Sequence, residues 1–176
     1  MLAHIRRSVI VSVFFLLLFG LAYPLVETGM AQALFPHQAS GSLGANGSTL
    51  IGQVWAGPRW FHGRPDADNP MATGASNLGP RSKVLEQDVA RLIAMWHRLG
   101  VSPTAGLVTT SGSGVDPDIS PAAAYAQVPM VARARGLSQA TVRRLVAAHV
   151  HGAQFGFLGA PYVNVLELNQ ALARLR

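Results

Sequence analysis

The chain has 176 residues, of which 14 are basic and 8 acidic, giving a formal charge of +6, and it contains no cysteine. The missing thiols exclude disulfides, thiol catalysis and cysteine-ligated metals, but they leave the compartment open, because an exported domain of this size buries a core without disulfides. An isoelectric point near 11.1 would suit a nucleic-acid binder; the basic residues are scattered singly or in pairs with no basic stripe, which argues against nucleic acid as a partner.

The first element is the stretch from Val9 to Val26, which holds 18 residues and no charge. As a helix it spans about 27 Å, close to the roughly 30 Å hydrocarbon core of a bilayer. Arg6 and Arg7 precede it and Glu27 follows. By the positive-inside rule, residues 1–8 form a cytoplasmic stub, 9–26 the transmembrane helix, and the rest lies on the outer side. Twelve basic and eight acidic residues lie beyond the anchor, a net +4. A cleaved secretory signal is the rival reading, with Ala31-Gln32-Ala33 as a small-x-small site; the length of the apolar run and the apolar segment after it favour an anchor.

Residues 27–49, rich in glycine and serine, are expected to form a flexible link. The Asn46-Gly47-Ser48 match to a glycosylation acceptor carries little information in such a composition. Residues 50–176 then form one domain. Its opening, LIGQVWAGPRWFHGRP, reads as one or two short strands with Trp55, Trp60 and Phe61 supplying core; the run after it, PDADNPMATGASNLGP, reads as a long loop, of a kind often functional. Ser82 caps a helix whose buried face carries Leu85, Val89, Leu92, Ile93 and Trp96, and Gly100 ends it. Leu107-Val108-Thr109 is a short strand candidate. Ser120 followed by Pro121 starts a second helix that Pro129 is expected to break or kink and Gly136 to end. Ser138 caps a third helix, with Val142, Leu145, Val146, His149 and Val150 on one side. Gly152, Gly156 and Gly159 then interrupt the chain. Tyr162-Val163 reads as a brief strand, and Asn164 with Glu167 three residues on forms a capping-box pair for the last helix. The fold class is α+β: one N-terminal transmembrane helix, then a small extracytoplasmic domain of about four helices and short strands.

No catalytic site emerges from this pattern. There is no phosphate-binding loop and no G-x-S-x-G elbow. Ser111-Gly112-Ser113-Gly114 would suit a nucleophile loop, but no base can be assigned to it. His149 and His151 on a helix point in different directions, so ordinary helix-end roles outweigh a shared metal. Asp116 with Asp118, and Asp66 with Asp68, have the spacing that opens a calcium loop, but the later ligands are missing and turn or capping roles fit better.

Several stretches resemble the C subunit of the bacterial Kdp potassium-transporting ATPase: the single N-terminal anchor, GRP at 63–65, SNLGP at 76–80, LVTTSGSGVDPDISPAAA at 107–124, VARARGLS at 131–138 and LGAPYVNVLELNQAL at 158–172. The resemblance covers nearly the whole chain, and the 107–124 and 158–172 stretches are long and specific. The chain departs from it at Asp118, where the family often has histidine, and at Gly74-Ala75, where it often has paired glycines. The resemblance implies a non-catalytic accessory subunit in the bacterial inner membrane. Its partners would be a channel-like potassium-binding subunit, a P-type ATPase subunit, a small single-helix subunit and membrane lipid. No cofactor is bound directly, ATP and potassium being handled by the complex. The family is also described as a catalytic chaperone that raises the ATPase subunit's affinity for ATP; an outer domain would have to do this allosterically. The alternative is a stand-alone anchored binding or hydrolytic domain. Candidate structural or partner-facing residues are Arg64, Ser76, Asn77, Ser111, Asp116, Ser120, Asn164 and Glu167; Gly20, Ala22, Tyr23 and Pro24 are candidates for anchor packing on other helices.

Overall fold

A computed structural model describes residues 1–44, 46–66 and 73–175. The chain divides into two compact units, residues 1–48 and 49–176. In the first, helix α1 (Leu2–Leu17) passes through a π-helical turn (Leu18–Ala22) into α2 (Tyr23–Leu34). The turn has a cause in Pro24. A proline has no N–H and its ring crowds the carbonyl four residues back, here that of Gly20, so the ladder widens ahead of it. The Tyr23 N–H accordingly reaches Leu18 O, five residues back. Along this stretch Phe15 stacks on Phe19, and Phe19 meets Tyr23 edge-on.

The helix therefore extends past Val26. The apolar helical span is Leu2–Leu34, 33 residues, about 50 Å at the usual rise per residue. Residues 27–34, expected in the link, are helical because Glu27 is the one charge in an otherwise apolar, alanine-bearing segment, and the Tyr23 hydroxyl donates to the Glu27 carboxylate one turn on. The remainder of the expected link is a short helix α3 (Pro36–Ala39) and a two-residue hairpin, β1 (Leu43–Gly44) on β2 (Gly47–Ser48).

The second unit contains, among the described residues, four helices: α4 (Lys83–Arg98), α5 (Pro121–Arg135), α6 (Gln139–Ala148) and α7 (Val165–Ala173). Ser82, Ser120, Ser138 and Asn164 cap them, each accepting from the N–H three residues ahead. Helix α5 is continuous through Pro129, so the expected break does not occur. Val128, Met130, Val131 and Ala132 are all buried, and that burial outweighs one missing backbone hydrogen bond. Helix α5 packs on α6, and α6 on α7. Among the described residues the sheet of this unit is one antiparallel pair, β3 (Asp118–Ile119) with β4 (Val163–Asn164), in register Asp118 to Asn164 and Ile119 to Val163.

Two expected strands are absent. Leu107 ends a 3-10 turn (Ala105–Leu107), and residues 50–66 contain turns and bends but no strand. Phe61 and Trp96 are core, while Trp55 and Trp60 are only partly buried and pack against it.

Candidate functional site

The extended segment at Phe61 and His62 lies against α5 and α7, where no strand offers it backbone partners. Two fully buried amides replace them. The Phe61 N–H donates to Asn169 Oδ1 and its carbonyl accepts from Asn169 Nδ2, both at 2.9 Å. The His62 N–H donates to Gln127 Oε1 at 2.8 Å and its carbonyl accepts from Gln127 Nε2 at 3.0 Å. Each side-chain amide thus pairs with both backbone groups of one residue as a neighbouring strand would. Neither was singled out from the sequence. The partners lie 108 and 65 residues apart, and an asparagine or glutamine inside a helix carries no mark of such a task.

This clamp aims Arg64 and Asp66 at the stretch 109–116. Arg64 donates to the carbonyls of Thr109 (3.3 Å) and Thr110 (2.8 Å) and lies 3.6 Å from the Asp116 carboxylate. Asp66 accepts three hydrogen bonds: from the Ser111 N–H and hydroxyl, both 2.7 Å, and from the Asp116 N–H, 2.8 Å. The Ser111 hydroxyl in turn accepts from the Gly114 N–H at 2.9 Å. The chain packs on both sides of this loop. Gly52 donates to Val115 O at 2.7 Å and Gly74 to Ser113 O at 2.7 Å. A Cβ at Gly52 would come within 2.6 Å of Asp116 O. At Gly114, with φ of 71°, a Cβ would collide with the Gly74 carbonyl. Ser111, read as part of a nucleophile-loop candidate, here fixes the loop: its hydroxyl donates to the Asp66 carboxylate, which also accepts from the Ser111 and Asp116 N–H groups. Asp68 lies outside the described residues.

The loop closes one wall of a cleft of about 210 Å3 whose lining includes Trp55, His62, Met95 and Trp96. His62 stands edge-on to Trp96 and its Nε2–H donates to Gly57 O at 2.9 Å. Burial holds its imidazole below the usual histidine range, and the Gly57 hydrogen bond offsets this only in part.

Past Asp116 the chain enters β3, and pairing with β4 joins the 107–124 stretch to the 158–172 stretch. Asn164 does three things there. Its Oδ1 caps α7 by accepting from the Glu167 N–H, and its Nδ2 donates to Thr49 O and to Asp118 Oδ1, both at 2.9 Å. Burial raises the Asp118 carboxyl; the Asn164 hydrogen bond and His151 pull it down, and Asp116 and Glu167 push it further up. Glu167 does not complete a capping box. Its carboxylate lies 3.2 Å from His151 Nε2, because His151 is drawn to α7 by its bridge to Tyr162, on whose ring it stacks. His149 instead caps α6 and donates from Nδ1 to Leu145 O at 2.8 Å. The two histidines thus serve different partners. Among the described residues no three histidine, aspartate or glutamate side chains gather as a metal site would require.

Of the other expected residues, Ser120 is the cap of α5. Ser76 accepts a long 3.5 Å bond from the Leu78 N–H, and Asn77 takes a left-handed conformation (φ 54°) that asparagine tolerates better than most residues. Gly20 and Ala22 lie in the π turn, and Tyr23 and Pro24 open α2. The structure therefore joins Ser111 and Asp116 through Asp66, pairs Arg64 with Asp116 directly, and joins Asn164 to Glu167 through the α7 cap. Ser76 and Asn77 form no bond to either group.

A family model described as KdpC, K+-transporting ATPase, c chain, matches residues 5–174. Similar proteins named potassium-transporting ATPase KdpC subunit come from Sorangium cellulosum, 50% identical over 98% of both chains, and Caulobacter vibrioides, 48% identical over 98% of this chain and 93% of the relative. Another, from Geobacter sulfurreducens, is 45% identical over 98% of both.

Proposed function

This chain belongs to the KdpC family, the c chains of K+-transporting ATPases, and from that premise we propose that it serves its potassium uptake complex as a non-catalytic part that holds other subunits together. The observation that carries this reading is the use made of the polar side chains in the 64–66 and 109–116 region. Arg64, Asp66 and Ser111 are engaged in fixing backbone, which makes a rigid surface rather than a poised nucleophile and base. The partners in this reading are a channel-like potassium-binding subunit, a P-type ATPase subunit and a small single-helix subunit. ATP hydrolysis belongs to the second of these.

The helix Leu2–Leu34 is the membrane anchor in this proposal, with Arg6 and Arg7 on the cytoplasmic side and residues 49–176 outside. Gly20 is free for helix packing, since a Cβ there would meet only Leu16 Cδ1 at 3.6 Å, an ordinary contact; its smallness is not needed by its own helix and suits close approach of a neighbour. An effect on ATP affinity would then act through the membrane helices as a coupling between distant sites.

Deleting the chain from cells tests the proposal. The expected result is loss of high-affinity potassium uptake together with loss of intact complex from solubilised membranes. An intact complex with full uptake would refute the assembly role. Because the chain has no cysteine, single cysteines placed at Ala3 and Arg174 read the orientation. A membrane-impermeant maleimide applied to spheroplasts should label the second and spare the first; the reverse pattern would invert the proposed topology.

A further inference from the structure

Between α6 and α7 the chain forms a hairpin that the functions discussed above do not use. His151 bridges Tyr162 at its base and Gln154 bridges Leu158 near its tip. The tip carries two phenylalanines turned to solvent: Phe155 is 86% and Phe157 76% exposed. Phe155 adopts φ 52°, a left-handed conformation unfavourable for a bulky residue. Strain of this kind persists where surrounding structure imposes it, and here two flanking bridges do.

We propose that this hairpin tip inserts into the interfacial layer of a lipid bilayer. Three observations support lipid as the partner. First, no Asp, Glu, Lys or Arg occurs between Arg144 and Glu167. A protein interface surrounds its apolar centre with a polar, hydrogen-bonding rim, whereas the chain flanking these rings is Ala153, Gln154, Gly156, Leu158, Gly159 and Ala160, with one polar side chain and no charge. Second, the tip pairs four of its backbone N–H groups within itself. The N–H of Gln154 donates to Leu158 O and that of Leu158 to Gln154 O, while Gly156 and Phe157 donate to the carbonyls of Ala153 and Gln154. Pairing these groups lowers the cost of leaving water for the interfacial layer. Third, Tyr162, 38% exposed at the base, has the amphipathic ring that settles at headgroup depth. Tethering to the chain's own apolar helix raises the effective concentration of bilayer around the tip, so weak insertion suffices. The proposal draws on membrane anchoring and not on the subunit role, so its failure leaves that role standing.

Site-directed spin labelling of the full chain in phosphatidylethanolamine–phosphatidylglycerol vesicles tests it. A nitroxide at Leu158→Cys should be several-fold less accessible to a water-soluble nickel chelate than one at Arg98→Cys on the exposed face of α4. Adding Phe155→Ser and Phe157→Ser should restore access, and because both rings are exposed these changes leave the fold intact, checked by an unchanged melting temperature. Equal access at Leu158 and Arg98 would overturn the proposal. Protection that arises only when the other subunits of the complex are co-reconstituted would also overturn it and assign the tip to a protein partner.

Discussion

Asn169 and Gln127 are the residues whose removal the fold should feel most for their size. Each amide is the partner of both backbone groups of one residue, so truncation strands a donor and an acceptor together. Asn169→Ala is expected to destabilise the protein by about 3 kcal/mol, from two unsatisfied buried groups at roughly 1–3 kcal/mol each, read by denaturant unfolding; a loss below about 1 kcal/mol would show that water replaces the amide. His62 sets a pH dependence. Its folded pKa lies below its unfolded value, so its contribution to stability is present above the unfolded pKa and lost as pH falls through the folded one. Between about pH 8 and about pH 5 the melting temperature should therefore fall less in His62→Gln, which keeps a donor for Gly57, than in the unsubstituted chain. Equal falls would contradict the assignment. The four cap residues were legible because a cap is a local pattern of polar residue, spacing and apolar run. The amide clamps were not, since their partners are distant in sequence and amide chemistry fits solvent equally well.

At the scale of elements, the Ser111–Asp116 loop is fixed by close approach, and its glycines are not equivalent. Gly114→Ala combines a strained φ with a collision against the Gly74 carbonyl and should cost on the order of 3 kcal/mol. Gly136, the C-cap of α5, also has positive φ (70°), but a Cβ there meets nothing within 4 Å. Gly136→Ala should cost only about 1 kcal/mol, the bare left-handed penalty. Thermal or denaturant unfolding of the pair would separate the two cases, and equal losses would mean that Gly74 moves aside readily. The helices and the brief strand at Val163 were legible, whereas the other two strand candidates were not borne out. Residues 50–66 have β-forming composition but find side-chain amides where a strand would be, and Leu107 closes a 3-10 turn so that its carbonyl accepts from Trp96 Nε1 at 2.9 Å. Pro129 shows the same override in a helix: a local breaker yields to a buried face.

For the whole molecule, the apolar anchor and the two long specific stretches at 107–124 and 158–172 carried the family resemblance, and β3–β4 explains why those stretches matter together: pairing brings Asp118 to Asn164 and builds one polar cluster from both. For Asp66, paired in sequence with Asp68, a turn or capping role is favoured over cation binding. Its actual task, holding Ser111 and Asp116, depends on a fold that sequence spacing does not reveal. The central claim is that this chain works as a structural subunit among catalytic ones. Affinity purification of the full chain from gently solubilised membranes, with mass spectrometry of what co-elutes, tests it most directly. A channel-like potassium-binding subunit and a P-type ATPase subunit should co-elute in fixed ratio; elution of the chain alone from membranes that contain those proteins would contradict the claim.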